Sequence, residues 1–287
     1  MKTVLKGKNS QVIIGEESPF VMIGERINPT GRKKLAAMIS EKNWDYVKEI
    51  ASDQLAWGAD VLDINVGVPG VDEVIAITSV INLLSKDLDV PFCLDSANYE
   101  VLKAGLAAAQ GKPLVNSVSG ERGKLDKILP LVKDRNAAVI GLTIDDKGIP
   151  ETPEERVSVA EKIIESALKI GIASEDVVID PLVMSVGSNH KAALITLQTI
   201  ELLRKSLGVN VCVGASNVSF GLPDRSALNQ AFLTLCIQAG ATCAITDPGK
   251  MGQAVKGVDL LLGRDNNSLK YLRYFRNAEK LRQSDAL

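Results

Sequence analysis

A strand–helix–strand unit between residues 91 and 121 constrains the fold more than any other part of the sequence. Residues 92–94 form a short apolar run that ends at Asp95, and residues 99–110 place apolar side chains at helical spacing. A second apolar run, 114–115, ends at Asn116. Parallel strands need a helical crossover of about this length, so the spacing predicts a parallel βαβ unit. Both strands end in side chains that make directed hydrogen bonds.

The same alternation continues along the rest of the chain. Six more apolar runs have the length of strands: 20–24, 61–66, 138–143, 177–179, 209–213 and 243–246. Helical patterns lie at 44–57, 71–88, 124–136, 152–170, 192–207, 226–239, 255–262 and 269–281. Eight strands alternating with at least eight helices predict an α/β fold, a (β/α)₈ TIM barrel. A doubly wound open sheet also alternates strands and helices, but it rarely needs eight units.

The sequence predicts a single domain over residues 1–287. No composition break marks a linker, and residues 3–14 have the pattern of two short strands around a Gly-Lys-Asn-Ser turn. We therefore expect an N-terminal β-hairpin, within residues 1–18, that plugs one end of the barrel. Residues 266–287 form a C-terminal helical extension in this prediction.

Charge and hydropathy restrict the partners of the chain. The formal net charge is −2 and no basic cluster contains interleaved aromatic residues, which argues against nucleic acid as a partner. The apolar runs are far shorter than the ~18 residues of a membrane span, and no signal sequence follows the first lysines. We expect a cytoplasmic protein that does not bind membranes.

Cysteine and histidine content excludes several kinds of catalysis. The four cysteines have apolar neighbours and form no C-x-x-C pair, so they are expected to be buried free thiols (Cys93, Cys212, Cys236 and Cys243). His190 is the only histidine, and it lies in a polar loop beside Asn189 and Lys191. A Ser-His-Asp or Cys-His mechanism in its usual form is therefore ruled out, and no metal site is expected. The glycine-rich dinucleotide and phosphate motifs are absent as well.

The predicted strands end in acidic and amide side chains that would meet at one mouth of the barrel. These residues are Asn28, Asp63, Asn65, Asp95, Asn116, Thr143, Asp180, Asn217 and Asp247. Any one of them could instead be a helix cap, but caps alone would include many more Ser, Thr and Gly. Carboxylates and amides match a flat heterocycle with an amino group beside a ring N–H, such as guanine or a pterin. Phosphate does not match, because no Arg or Lys clamp is evident at the strand ends.

Seven short motifs, in order and at compatible spacing, resemble the methyltetrahydrofolate–corrinoid protein methyltransferases. They are Gly-Glu-Arg-Ile-Asn (24–28), Asp-Ile-Asn-Val-Gly (63–67), Leu-Asp-Ser (94–96), Val-Asn-Ser (115–117), Gly-Leu-Thr (141–143), Ile-Asp-Pro-Leu (179–182) and Gly-Ala-Ser-Asn-Val-Ser (214–219). The resemblance spans residues 20 to 265. The folate domain of cobalamin-dependent methionine synthase is similar, and dihydropteroate synthase is a more distant relative.

The resemblance implies a pterin in the barrel mouth. It assigns the pyrimidine edge of the pterin to Asp95, Asn116 and Asp180, with Ser216 as a further binding residue. It places Asn217 beside the reactive N5 atom, as the catalytic residue. Additional candidates are Glu25, Asn28, Asp63, Asn65 and Phe220; some family members have a polar residue in place of Phe220.

The resemblance also implies that a separate partner carries the corrinoid. Corrinoid modules ligate cobalt through an Asp-x-His-x-x-Gly pattern, whereas the surroundings of His190 lack both the Asp and the Gly. A corrinoid protein would therefore dock over the barrel mouth, and we expect the enzyme itself to be a homodimer. The substrate would be tetrahydrofolate or its methylated form.

The implied reaction is methyl transfer between N5 of tetrahydrofolate and the cobalt of the partner's corrinoid. We favour transfer from the methylcorrinoid to tetrahydrofolate, as in demethylation systems, because the hairpin and C-terminal helix extend the minimal barrel. Two alternatives remain open, a dihydropteroate synthase-like enzyme and a non-catalytic folate-binding protein. The first is disfavoured because Asn217 follows Ser216 where those synthases have a Ser-Arg-Lys type stretch.

Overall fold

The computed structural model describes residues 1–284 and contains two sheets. The N-terminal hairpin consists of β1 (Lys2–Lys6) and β2 (Gln11–Gly15). The eight strands of the second sheet are β3 (Val21–Ile27), β4 (Val61–Ile64), β5 (Phe92–Asp95), β6 (Leu114–Ser119), β7 (Ala138–Leu142), β8 (Val177–Asp180), β9 (Cys212–Gly214) and β10 (Cys243–Thr246). The helices are α1 (Lys33–Ser40), α2 (Trp44–Ala56), α3 (Glu73–Asp87), α4 (Tyr99–Ala108), α5 (Arg122–Asp134), α6 (Pro153–Lys169), α7 (Ala192–Leu207), α8 (Arg225–Ala239), α9 (Pro248–Leu261) and α10 (Leu269–Ser284).

The eight-stranded sheet is parallel and closes on itself. Its order is β8-β7-β6-β5-β4-β3-β10-β9, and a parallel bridge between Ile179 and Val211 joins the two end strands. At this seam the Ile179 amide donates to the Asn210 carbonyl at 2.9 Å. The predicted (β/α)₈ barrel is therefore confirmed.

The hairpin closes the N-terminal end of the barrel. Leu5 and Ile14 are fully buried and pack against the apolar side chains inside the barrel, among them Cys93 and Cys243. The Asn210 side chain also holds the hairpin, because its amide donates to the Ile14 carbonyl at 2.9 Å. The prediction of a hairpin plug is confirmed. All four cysteines are buried free thiols, as the sequence predicted.

Gly111 is the tightest contact between the hairpin and the barrel. Its φ is +78°, and a Cβ atom added there would lie 2.2 Å from the carbonyl oxygens of Lys6 and Gly7. We expect Gly111→Ala to lower the free energy of unfolding by about 3 kcal/mol, since it combines left-handed strain with a backbone clash. Gly208→Ala is the matched control, because Gly208 has a φ of +64° and nothing within 4 Å. Urea unfolding should show a loss of only ~1 kcal/mol for the control, and equal losses would contradict the clash.

Two helices differ from the sequence predictions. Helix α1 was not predicted; it is a short helix that buries Leu35 and Ile39. Helix α9 begins at Pro248, directly after β10, and not at 255, because the Asp247 carboxylate caps it by accepting from the Gly249 amide at 3.1 Å. Several glycines obscure the helical pattern of α9, yet tertiary packing stabilises it.

Strand β9 and the C-terminal helix differ from the predicted boundaries by a few residues. Strand β9 begins at Cys212, three positions after the predicted start at 209, and only the bridge at Val211 precedes it. The predicted C-terminal extension agrees with α10 up to Ser284, and its last part, 285–287, lies outside the described residues. In the described part of the chain, no helix is long and apolar enough to cross a membrane.

Candidate functional site

A cavity of about 520 Å³ opens at the C-terminal ends of the barrel strands. Six of the predicted site residues line it together with Asn217: Glu25, Asn28, Asp63, Asp95, Asn116 and Ser216. The carboxyl ends of parallel strands meet at one face of a barrel, which explains how residues so far apart in sequence share one cavity. The volume lies within the range of about 300–1,000 Å³ that is usual for small-molecule sites.

Two acid–amide pairs form the deep part of the cavity. The Asn116 side-chain amide donates to Asp63 Oδ1 at 3.2 Å, and the Asn65 amide donates to Asp95 Oδ2 at 2.9 Å. Asn65 is itself held by the Gly67 amide, which donates to Asn65 Oδ1 at 2.8 Å. Asn65 does not line the cavity; it orients Asp95. These hydrogen bonds hold the side chains of Asp63, Asp95 and Asn116 in fixed orientations at the cavity wall.

Burial favours the protonated forms of these two aspartates by raising the pKa of each, and repulsion adds to the effect at Asp63. Burial raises the pKa of Asp63, and the neighbouring Asp95 carboxylate raises it further. Burial also raises the pKa of Asp95, while the hydrogen bond from Asn65 lowers it. Two carboxyl groups this close resist ionising together. At neutral pH the pair can therefore offer both a hydrogen-bond donor and an acceptor to a heterocycle.

Glu25 is the titratable residue on the β3 side of the cavity. Burial raises its pKa from an ordinary 4.5 to about 7, and the Asp247 carboxylate contributes to the rise. Three cations that line the same cavity, Arg32, Lys250 and Arg225, act in the opposite direction. Glu25 is consequently present in both protonation states near neutral pH, which is the condition for moving a proton.

The raised pKa of Glu25 makes the stability of the protein depend on pH. Its stabilising contribution is full below pH 4.5, the unfolded-state value, and is lost as the pH rises through about 7. As the pH rises from 5 to 8, the wild type should lose stability that Glu25→Gln keeps. We expect the free energy of unfolding of the variant to rise by roughly 2 kcal/mol relative to that of the wild type over this range. Urea unfolding at both pH values measures this gain. Glu161→Gln, an exposed position on α6, should show none, and equal curves for wild type and Glu25→Gln would contradict the burial argument.

Asn217 lies in a 3₁₀ helix, Ala215–Ser219, that follows β9 directly. Its side chain lines the cavity and makes no hydrogen bond within the described part of the protein. Gly214 makes room for it, since an added Cβ there would lie 3.2 Å from Asn217 Nδ2. Arg225 braces the segment by donating to the Ser216 carbonyl at 2.7 Å and to Ser219 Oγ at 3.0 Å. The amide of Asn217 is therefore presented to the cavity on a rigid support.

Asp180 differs from Asp95 and Asn116 in that it does not line the cavity. It ends β8, and its Oδ1 accepts from the Leu182 amide at 2.8 Å, but it is not among the residues that line the cavity. Burial raises its pKa to about 6, while the Leu182 amide and the Arg156 guanidinium lower it. The carboxylate is thus largely ionised at neutral pH, and its role in pterin binding stays a prediction.

The other residues singled out in the sequence either hydrogen-bond to the backbone near the mouth or are exposed at the protein surface. The Asn28 side chain accepts from the Thr30 amide at 3.0 Å and so orders the loop after β3. Thr143, another strand end, is fully buried and donates to the Asp180 carbonyl at 3.0 Å, so it holds the barrel rim together. Phe220 is 71% exposed at the outer rim and does not line the cavity. His190 is exposed in the loop between β8 and α7.

The strand ends showed no Arg or Lys clamp, but the mouth does contain basic residues. Arg32, Arg225 and Lys250 all line the cavity. They were missed because each lies several residues beyond the strand end, on the loop or first helical turn that follows it. In a barrel these loops fold back over the mouth, which a reading limited to strand ends does not capture. Within residues 1–284, no group of three or more His, Cys, Asp or Glu side chains could hold a metal ion.

Known proteins resemble this chain over most of its length. Residues 24–247 match the family of pterin binding enzymes. The chain is 33% identical over 268 residues to the methylcorrinoid:tetrahydrofolate methyltransferase of Eubacterium limosum, which covers 91% of this chain and 97% of that relative. It is 34% identical over 252 residues to the methionine synthase of Mycobacterium tuberculosis, covering 82% of this chain but only 21% of the synthase.

Solved structures share the fold at lower identity. A dihydropteroate synthase from Clostridium difficile, solved in the presence of pteroic acid, superimposes with a TM-score of 0.71 at 22% identity and covers 86% of this chain and 98% of its own. A dihydropteroate synthase from Yersinia pestis gives 0.69 at 17% identity, covering 92% and 100%. The family match covers most of the chain and the methyltransferase relative nearly all of it, which confirms the resemblance found in the motifs: the chain belongs to the family of pterin binding enzymes.

Proposed function

We propose that the protein is a methyltransferase that moves a methyl group from the cobalt of a partner's corrinoid to N5 of tetrahydrofolate. One observation carries the proposal: Asp63, Asp95 and Asn116 line one cavity together with Asn217, whose amide has no hydrogen-bond partner among the described residues. The pairs suit the pyrimidine edge of a pterin, and Asn217 suits a reacting nitrogen. The relative from Eubacterium limosum is named for this reaction and direction.

Positioning would account for much of the catalysis. The deep carboxyl and amide groups, Asp63, Asp95 and Asn116, hold the pterin so that N5 points toward the open mouth. The corrinoid, carried by the partner, supplies a methyl group that N5 can attack. N5 must lose its proton as the new N–C bond forms. Asn217 hydrogen-bonds to N5, and Glu25, with a pKa of about 7, accepts the proton.

The partner protein would dock on the rim formed by the loops after β7, β8 and β9. Exposed apolar side chains project from these loops at Ile149, Met184 and Phe220. Contiguous exposed apolar patches often mark protein interaction sites, and Ile149 and Met184 line one surface depression together. Docking there would bring the corrinoid over the open mouth and exclude water from N5.

We further propose that the protein is a cytoplasmic homodimer. Helix α9 packs between α8 and α10, and large apolar side chains are exposed on these neighbouring helices at Leu235, Leu261 and Leu272. A second copy of the chain would cover them. Sedimentation analysis of the purified protein should give a mass near 61 kDa, about twice the 30.7 kDa of one chain. A single-chain mass at micromolar concentration would contradict the dimer.

Methyl transfer between free reagents tests the function directly. Purified protein mixed with methylcobalamin and tetrahydrofolate should produce 5-methyltetrahydrofolate and cob(I)alamin in equal amounts. The Co–C electron pair stays on cobalt, and the N5 proton is released. Tight folate binding with no exchange would favour the non-catalytic alternative, and condensation of a pterin diphosphate with p-aminobenzoate would favour the synthase alternative.

A further inference from the structure

A second cavity of about 520 Å³ lies at the end of the barrel opposite to the mouth. Its walls come from β2, the segment before β3, the end of α2 with the loop that follows, α9 and α10. One wall is apolar and consists of Val12, Leu55, Ala56, Ala59 and Tyr274. Among the described residues, none lines both this cavity and the one at the mouth. The volume is usual for a small-molecule site.

Tyr274 fixes the position of α10 and with it one side of this cavity. The side chain is 8% exposed, and a Cβ atom added at Gly252 on α9 would lie 2.6 Å from Tyr274 Oη. The first turn of α10 is held by the Asp265 carboxylate, which accepts from the Lys270 amide at 3.0 Å and from the Tyr271 amide at 2.8 Å. Helix α10 therefore presents its side chains to the cavity from a fixed position.

Lys256 is a buried cation in the wall of this cavity. It lies on α9 and is 9% exposed. Among the residues that the structure describes, its side chain makes neither a hydrogen bond nor an ion pair. The nearby carboxylates of Asp259 and Asp60 are bound by main-chain amides instead. Asp259 accepts from the Phe20 amide at 2.9 Å, and Asp60 accepts from the Met22 amide at 2.9 Å. A buried ammonium group without a partner is unfavourable, so an anion that binds beside it is stabilised.

Two more cations stand at the opening of the cavity. Lys270 and Arg273 are exposed on α10 and line the cavity, and within residues 1–284 neither side chain makes a hydrogen bond or an ion pair. Of the lining residues described, Asp60 is the only acid. Burial raises the pKa of Asp60, while Lys256 and Lys270 lower it. Three cations beside one partly buried acid favour a ligand with more than one negative charge.

Asp60 and the apolar wall restrict the ligand further. Asp60 Oδ2 accepts from the Met22 amide, whereas Asp60 Oδ1 accepts from none of the described residues and is available to a ligand amino group. The Arg273 guanidinium has the planar geometry that binds two phosphate oxygens together. The apolar wall suits a flat aromatic group. A phosphorylated compound with an aromatic amine combines these properties.

We propose that this cavity is a binding site for a nucleoside diphosphate whose base carries an amino group. The base lies against the wall formed by Val12 and Leu55, and its amino group donates to Asp60. The diphosphate lies between Lys256, Lys270 and Arg273. A nucleoside diphosphate carries about three negative charges near neutral pH, which matches these three cations. The site is separate from the folate cavity and does not depend on the function proposed above.

Titration calorimetry of the wild type with ADP, adenosine and inorganic pyrophosphate tests the proposal. ADP should bind at least ~10-fold more tightly than adenosine or pyrophosphate, because only ADP reaches both the apolar wall and the cations. Its affinity should fall as the salt concentration rises. Inosine diphosphate has a carbonyl oxygen in place of the amino group of ADP, and it should bind ~10-fold more weakly than ADP.

Three variants locate the bound nucleotide. The Lys270→Gln, Arg273→Gln double variant changes two exposed side chains, and it should weaken ADP binding by about 10–100-fold while adenosine binds as before. Asp60→Asn should remove the preference for ADP over inosine diphosphate, because its amide can donate to the inosine carbonyl. Arg276→Gln is the matched control, since Arg276 is an exposed cation on the same helix that does not line the cavity. It should bind every ligand as the wild type does.

Several results would overturn the nucleotide site. Absence of ADP binding at millimolar concentration is one, and wild-type affinity of the double variant for ADP is another, because ADP would then bind elsewhere on the protein. Pyrophosphate binding as tight as that of ADP would reduce the cavity to a site for inorganic anions. Equal affinity of the wild type for ADP and inosine diphosphate would remove Asp60 from base recognition and with it the amino-bearing base. Methyl transfer from methylcobalamin to tetrahydrofolate is measured without nucleotide, so the proposed function is tested independently.

Discussion

Asn217→Ala is expected to lower the rate of methyl transfer by ~10²–10³ at saturating folate, the usual cost of losing one donor aimed at a reacting centre. The side chain lines the cavity and makes no hydrogen bond within the described chain, so its amide is available to N5. A hydrogen bond from this amide to N5 would strengthen as the charge on that nitrogen changes, and it would therefore stabilise the transition state more than bound folate. Folate affinity should change by less than about threefold, in keeping with that difference.

Single-turnover transfer and equilibrium folate binding, measured on the same preparation, separate the two effects. The pH profile of the wild type should report the protonation of N5, and the variant should shift it. His190→Ala is the matched control, because His190 is exposed on the loop after β8 and its loss should leave both quantities intact. If Asn217→Ala loses folate affinity and keeps its rate at saturation, the residue is only a wall of the pocket.

Asn116→Ala and Asp95→Asn are expected to weaken folate binding by about 10–100-fold each, because each leaves a buried polar edge without its partner. Asn116→Ala has a second cost, since its amide no longer donates to Asp63 Oδ1. Asp180→Asn should weaken binding as well, through loss of a carboxylate that is largely ionised at neutral pH. These losses concern ground-state binding, so transfer rates at saturating folate should fall less than for Asn217→Ala.

Titration calorimetry with tetrahydrofolate measures these affinities. Asn98→Ala removes an amide from the same end of the barrel, where it caps α4 by accepting from the Glu100 amide, but it does not line the cavity. It should cost about 1 kcal/mol of stability without changing folate affinity. Unchanged affinity for Asp95→Asn and Asn116→Ala would remove the pterin from the mouth. Unchanged affinity for Asp180→Asn alone would confine the pterin to the side of the cavity formed by β4, β5 and β6.

The fold and the list of strand-end residues were accessible from the sequence because both depend on local patterns. Short apolar runs identified the eight strands and period-3.6 spacing identified most helices, and the closed barrel follows from that number of repeats. Each strand end carries its polar side chain at the point where the apolar run stops, as Asp95 and Asn116 show. Elements with weak local signals were the ones missed, namely the short helix α1 and the glycine-containing start of α9.

Only the tertiary structure decided which polar residues share a cavity and what charge they carry. The Asp63–Asp95 pair and its raised pKa values depend on adjacent strands. The raised pKa of Glu25 depends first on burial in the closed barrel and then on Asp247, which lies far away in sequence. The cation Arg32 reaches the mouth on a loop and Lys250 on the first turn of α9, and no local pattern encodes either placement. Hydrophobic spacing determines the elements one at a time, whereas burial and electrostatic coupling depend on distances between elements, and those distances exist only once the barrel has closed.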